Sequence, residues 1–194
     1  VRTFSRKKLE KIFDACGVGE RSFYYPYPDY KFMTTVYSDA YLPGRGELSN
    51  NLRNFDRDRM LLFDEKSAFD GIVEEGLFSV FSNSYMAIIG KPLELKYARY
   101  SNDRAEEFRI RTEILRDEKG QPTVRKYPLT TEAEAHVRHM AEAYEKLRKR
   151  YAGSRLDVNV CHLCEEEGAI YAEFEFVPGR PLSELMDECL DRQD

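Results

Sequence analysis

Apolar and polar residues alternate with a period of two through much of the second half of the chain, which predicts strands with one buried face. The strands predicted from this pattern cover residues 93–100, 107–117, 122–129, 156–166 and 169–177. Residues 131–151 change to the helical period, and a second helix is predicted at 181–190. From residue 93 onward the predicted order of elements is therefore β-β-β-α-β-β-α.

The first half is less regular, and the pattern changes after Pro92, so we place a domain boundary between residues 1–92 and 93–194. The predicted elements are a helix at 5–16, an aromatic β-prone segment at 21–30, a weakly helical stretch at 57–75 and an apolar strand at 78–91. Pro26 and Pro28 cannot donate a backbone hydrogen bond, so the segment at 21–30 is not expected to be a central strand.

Composition and charge limit the partners that the chain can bind. The formal net charge of −5 leaves no broad basic field to hold nucleic acid. No apolar run approaches the roughly 20 residues that a membrane-spanning helix needs. Four cysteines in 194 residues do not make a disulfide framework. We therefore expect a cytoplasmic protein with no nucleic-acid partner and no transmembrane segment.

The order of elements in the second half resembles the small lobe of protein-kinase-like enzymes. Its third strand carries Val124-Arg125-Lys126, similar to the kinase strand whose lysine holds the phosphates of ATP. The run from Tyr171 to Leu182 resembles the hinge of aminoglycoside-phosphotransferase-type kinases, where an acidic and aromatic strand precedes a glycine and then a helix. The resemblance implies a five-stranded antiparallel kinase-like N-lobe with one long helix.

Lys126 is the main site residue that this resemblance implies. It would hold the phosphates of ATP with Mg²⁺ as a positive point charge, paired with a carboxylate on the following helix. Glu134 is the expected partner because it lies beside the apolar stripe of that helix, and Glu142 is the alternative. The plainer interpretation of Lys126 is a solvent-facing residue at the edge of a sheet.

The resemblance also implies two further contacts with the nucleotide. Ser101 and Asn102 stand where kinases have a glycine-rich turn, and their backbone amides could meet phosphate, although less closely than glycines would. The extended backbone at Glu175 and Val177 would offer N–H and C=O groups to adenine. No metal ligand is assigned, because the catalytic and metal-binding aspartates of kinases belong to a large lobe, expected after residue 194.

The first half resembles the C-terminal part of a class I S-adenosylmethionine-dependent methyltransferase, a Rossmann-like fold. The helix at 5–16 and the run FSNSYMAIIGK look like its last helix and terminal strands. The segments FYYPYPDYK and ELSNNLRNFDRDRMLLFDE resemble an insertion in bacterial methyltransferases linked to surface-polysaccharide genes. The glycine-rich loop for S-adenosylmethionine lies early in such domains, so no residue of this chain is assigned to that cofactor.

Three other motifs admit a functional and a plainer interpretation. Cys161 and Cys164 suggest zinc, but residues three apart on a strand face opposite sides, so buried structural cysteine is favoured. His136 and His139 share a helix face but lack a third ligand, which favours a surface or capping role. The aromatic run at 23–30 could stack a sugar, while core packing is the plainer interpretation.

Together the resemblances imply an α+β fragment of a bacterial bifunctional methyltransferase–kinase of the O-antigen chain-capping type, acting on a surface-polysaccharide precursor. The fragment is expected to bind nucleotide without turning it over, and the saccharide substrate belongs to the parent protein. Two alternatives stay open: a non-catalytic, pseudokinase-like docking or scaffold module, and a single α+β binding domain whose kinase-like order is coincidental. We also expect the isolated chain to self-associate through residues 1–92, because unpaired strand edges recruit other strands.

Overall fold

The computed structural model describes residues 4–48, 64–166, 168–180 and 182–191. The strands are β1 Arg21–Tyr27, β2 Thr35–Ser38, β3 Met86–Ile89, β4 Leu95–Tyr100, β5 Ile110–Arg116, β6 Pro122–Pro128, β7 Cys161–Glu166 and β8 Ala169–Glu175. The helices are α1 Arg6–Ala15, α2 Glu65–Glu74, α3 Phe78–Phe81, α4 Glu134–Tyr151 and α5 Leu182–Asp191, with a 3₁₀ turn at Glu106–Phe108. Within these ranges, no helix has both the length and the apolar character to cross a membrane.

The eight strands form one antiparallel sheet in the order β3-β1-β2-β4-β5-β6-β8-β7. The expected fold class, a Rossmann-like methyltransferase segment followed by a five-stranded kinase-like N-lobe, is therefore wrong. The finding that overturns it is the pairing of β2 with β4, in which Thr35 lies opposite Arg99 and Val36 opposite Ala98. The predicted order of elements after residue 93 is present, but its strands do not make a separate five-stranded sheet.

The residues fall into two compact units. One comprises Val1–Met33, Tyr37–Pro92 and Pro178–Asp194, and the other comprises Thr34–Val36 and Leu93–Val177. The assignment of residues 1–92 and 93–194 to separate functional domains stays a prediction.

The first strand corrects one expectation about the first unit. β1 lies between β3 and β2 in the sheet although it contains Pro26. Its register with β3 runs only from Arg21 opposite Ile89 to Tyr24 opposite Met86. Pro26 follows the last of these pairs, so its missing N–H leaves no gap in that ladder.

Helices in the first unit follow local capping signals. The Ser5 hydroxyl accepts a hydrogen bond from the Lys8 backbone N–H at 3.3 Å and starts α1, close to the predicted helix. The predicted helix at 57–75 is described only from residue 64, and α2 occupies Glu65–Glu74. The predicted strand at 78–91 instead divides into α3 and β3, because Ser82 donates to the Ser84 carbonyl at 3.0 Å and turns the chain.

Aromatic side chains form the core of the first unit. Phe78 lies at its centre, with ring centroids at 5.4 Å from Tyr37, 5.9 Å from Tyr25 and 6.3 Å from Phe69. The predicted aromatic run is thus mostly core, while Tyr30 at its end is exposed. In the second unit, α4 places Val137 against a cluster on the sheet that comprises Ile110, Ala172 and Phe174.

Candidate functional site

Lys126 lies in the middle of the second unit's strands, on β6, opposite Thr112 of β5 and Ala172 of β8. Val124, two residues earlier on the same strand face, packs against the core cluster beneath α4. The Lys126 ammonium lies 5.3 Å from the centroid of the Phe174 ring. The lysine is therefore half-buried and stacked on an aromatic ring.

The structure does not bring Lys126 together with its predicted carboxylate. Glu134 is the first residue of α4 and is exposed, as is Glu142. Among the residues that the structure describes, no carboxylate oxygen lies within 4.0 Å of the Lys126 ammonium. The predicted role of Glu134 beside a nucleotide stays a prediction.

The charged group that acts most on Lys126 is a cation, Arg104, rather than a carboxylate. Burial lowers the pKa of Lys126, and the positive charge of Arg104 lowers it further, while Cys161 acts in the opposite direction. Burial also lowers the pKa of His136, with further lowering by Arg104, His139 and Lys126. We call Arg104, Lys126 and His136 the cationic cluster.

The loop that carries Arg104 is closed by Ser101. The Ser101 hydroxyl donates to the Ile110 carbonyl at 2.9 Å and accepts from the Ile110 N–H at 2.9 Å. These bonds fix the ends of the β4–β5 connection, so this hydroxyl serves the loop itself. Asn102, the next residue, is exposed.

Contacts with Phe108 and Thr130 position the remainder of the loop near the start of α4. The Phe108 ring meets His136 edge-on, with centroids 5.2 Å apart. The Thr130 hydroxyl donates to the Glu106 carbonyl at 2.7 Å and accepts from the Ala133 N–H at 3.2 Å. The same threonine thus joins the loop to the first turn before α4.

The predicted adenine contacts lie at the end of β8. Glu175 pairs with Thr123, and its carbonyl accepts a hydrogen bond from the Asn159 side chain at 2.8 Å. Val177 lies beyond the strand and is exposed. One of the two backbone acceptors assigned to adenine is thus already engaged, while Val177 is accessible.

The cysteine motif diverges as its spacing predicted. Cys161 lies opposite Phe174, on the side of Lys126, whereas Cys164 lies opposite Tyr171. All four cysteines of the chain are free thiols. In the described ranges, no group of three or more His, Cys, Asp or Glu side chains could hold a metal ion.

The sequence predicts Lys126 as a site residue, but it assigns no role to Arg104 and favours a surface or capping role for His136. No local sequence pattern links Arg104, Lys126 and His136, because they lie on a loop, a strand and a helix and their approach depends on the path of the loop at 101–109. A sequence does not specify that path.

Comparisons with known proteins add no assignment to this geometry. No protein-family model, curated protein or solved structure matches the chain. Function must therefore be inferred from the side chains themselves.

Proposed function

We propose that the second unit binds the phosphate groups of a nucleotide at the cationic cluster. The observation that carries this proposal is the half-buried Lys126, which has a cationic neighbour and no carboxylate within 4.0 Å among the described residues. Charged side chains removed from water are normally paired with an opposite charge, and among the described residues Lys126 has only the Phe174 ring and no carboxylate. A phosphate would supply the missing negative charge.

The chemistry of the three groups suits phosphate. Lysine offers a point charge with three donors, and arginine offers a planar fork that matches phosphate oxygens. His136 would gain its proton more readily beside a bound anion, because the anion offsets the charges that now lower its pKa. Partial burial of Lys126 and His136 strengthens their interactions relative to water, whereas Arg104 is exposed.

The wider role rests on the sequence resemblance alone. We propose that the parent protein is a bacterial transferase that combines S-adenosylmethionine-dependent methyl transfer with ATP-dependent phosphoryl transfer on a surface-polysaccharide precursor. Within it, ATP with Mg²⁺ is the nucleotide proposed for the cationic cluster. The exposed backbone at Val177 is the proposed contact for adenine.

The test compares a Lys126→Met variant with a matched Lys119→Met control, which changes an exposed lysine on the turn between β5 and β6. ATP with Mg²⁺ at about 100 times its dissociation constant should stabilise the natural protein by about 2.7 kcal/mol. Lys126→Met should weaken nucleotide binding at least about tenfold, since a charge-assisted hydrogen bond is lost. Calorimetric titration measures the affinity and thermal unfolding measures the stabilisation.

The stability of the Lys126→Met variant shows whether it loses binding because it misfolds or because it lacks the ammonium group. Without ligand, the Lys126→Met variant should be as stable as the natural protein, or up to about 1 kcal/mol more stable, because an unpaired charge leaves the interior. Equal nucleotide affinity of the two variants, or no affinity in the natural chain, would show that the cluster does not bind phosphate.

A docking role is the second candidate, and the edge of the sheet favours it. β3 is the outermost strand on one side of the described sheet, and Met86 and Ile89 on it are exposed. Val80 and Phe81 in the neighbouring α3 are exposed as well. We propose that a second copy of the chain pairs with β3, because two copies of one edge strand can pair antiparallel.

Light scattering tests this pairing. The average mass of the natural chain should rise with concentration, and Ile89→Lys should return it to the monomer mass, since an edge lysine opposes strand addition. Leu156→Lys changes an equally exposed residue that lies outside the strands and should leave association unchanged. A natural chain that stays monomeric at every concentration would refute the proposal.

A further inference from the structure

A cavity opens on the face of the sheet opposite Lys126. It has a volume of about 550 Å³ and is lined by Tyr127, Glu166, Ala169 and Tyr171, which we call the tyrosine pocket. Tyr127 directly follows Lys126 on β6, so its side chain lies on the other side of the strand from the cluster that α4 covers. The volume lies in the range of pockets that take small molecules.

The aromatic walls of the pocket are held in place by two stacked arginines. The Tyr127 and Tyr171 rings lie with centroids 5.0 Å apart and planes inclined by 35°. The Arg111 guanidinium lies 4.7 Å from the centroid of Tyr127, and that of Arg125 lies 4.8 Å from the centroid of Tyr171. Neither ring can reorient without breaking a cation–π contact, so the pocket is formed before a ligand arrives.

Carboxylates on the same face neutralise both arginines. Arg125 Nε donates to Glu173 Oε2 at 2.8 Å, and Arg111 Nε lies 2.8 Å from Glu113 Oε1. Burial raises the pKa of Glu113, while the two arginines act in the opposite direction. Each guanidinium group thus forms an ion pair with a carboxylate and also stacks on a tyrosine ring.

Glu166 is different, because it forms no ion pair within the part of the chain that the structure describes. It lies at the rim beside the Tyr171 hydroxyl. Burial raises the pKa of Tyr171, and Glu166 raises it further, so this hydroxyl keeps its proton. The pocket therefore offers one carboxylate as hydrogen-bond acceptor, phenol hydroxyls, and aromatic surface.

These groups select among classes of ligand. A phosphate or carboxylate ligand would be repelled by the negative charge of Glu166, and both arginines are already paired with carboxylates. An organic cation over either tyrosine ring would be repelled by the guanidinium group stacked there. A neutral ring with several hydroxyls suits these groups, because its O–H groups can donate to Glu166 and a C–H face can pack on the partly exposed Tyr127.

We propose that the tyrosine pocket binds a neutral sugar ring. The carboxylate of Glu166 orients the ring through its hydroxyls, and Tyr127 provides the apolar surface, because Tyr171 is only 2% exposed. The pocket and the cationic cluster lie on opposite faces of the same strands, so this proposal does not rest on phosphate binding at Lys126.

The experiment titrates the ¹⁵N-labelled chain with the methyl α-glycosides of glucose, mannose and galactose. We expect saturable amide shifts in β6, β7 and β8 for at least one glycoside, with a dissociation constant on the order of millimolar. Glu166→Gln should weaken that binding about tenfold, because the acceptor loses its charge. The matched control Glu165→Gln, on the other face of the same strand, should change it less than about twofold.

Three results would overturn the proposal. They are the absence of saturable shifts with all three glycosides, equal affinity in the Glu165→Gln and Glu166→Gln variants, and displacement of the glycoside by ADP. A Lys126→Met variant in the same titration should bind the glycoside as the natural chain does. Failure of the sugar site is therefore distinguishable from failure of the phosphate site.

Discussion

Replacing Phe174 by alanine should lower the free energy of unfolding of the second unit by about 3–5 kcal/mol. The ring is buried in the cluster under α4 and meets Tyr144 edge-on, with centroids 5.0 Å apart. Removing it leaves a cavity and takes away the aromatic face on which the Lys126 ammonium lies. Urea unfolding followed by far-UV circular dichroism measures the loss.

Two further variants show whether the loss of stability comes from the buried packing of Phe174 or from shortening a side chain at the end of this strand. Phe174→Leu keeps most of the buried apolar surface and should cost less than the alanine variant, although it still removes the ring beneath Lys126. Val177→Ala truncates a residue just past the same strand that is 67% exposed, and it should change stability by less than about 0.5 kcal/mol. A Phe174→Ala variant no less stable than Val177→Ala would contradict the assigned core.

Replacing Phe78 by alanine should have an effect of the same size in the first unit, about 3–5 kcal/mol. Phe78 is 1% exposed, and three tyrosines on β1 and β2 surround its ring. Aromatic pairs of this geometry stabilise the core beyond the area they bury. Removing the Phe78 ring therefore loses these contacts in addition to creating a cavity. Near-UV circular dichroism during urea unfolding reports on those tyrosines.

Phe81 supplies the matched control for this variant, because it occupies the same short helix and is 53% exposed. Phe81→Ala removes the same number of atoms from a place where water already reaches them. We expect its stability to lie within about 0.5 kcal/mol of the natural protein. Similar losses in both variants would mean that Phe78 is not the centre of this core.

Local pattern was sufficient for the strands and the long helix of the second unit. The alternation at 93–100 and 122–129 corresponds to β4 and β6, and the helical period at 131–151 to α4. The strand predicted from residue 107 begins only at Ile110, because a 3₁₀ turn takes the residues before it. Each of these signals depends on neighbours in sequence, which is why a single sequence contains them.

The arrangement of the sheet could not be predicted in the same way. β2 is only four residues long and lies outside every strand predicted from the sequence, yet its pairing with β4 is part of what makes the strands one sheet. The partners Val36 and Ala98 are far apart in the chain, and no local periodicity records such a pairing. The same limit applies to the cationic cluster, where the kinase-like resemblance implies Lys126 but no sequence pattern predicts the approach of Arg104.

The pairing of β6 with β8 determines how much of the chain a minimal binding fragment must contain. Lys126 lies on the strand before α4, while Phe174 and Cys161 come from the hairpin after it. The shortest continuous segment that holds Arg104, Lys126, His136 and the Phe174 ring therefore runs from residue 104 to residue 174. A truncation or protease cut between β6 and β8 would divide the site into two halves, and neither half alone contains both the lysine and the ring beneath it.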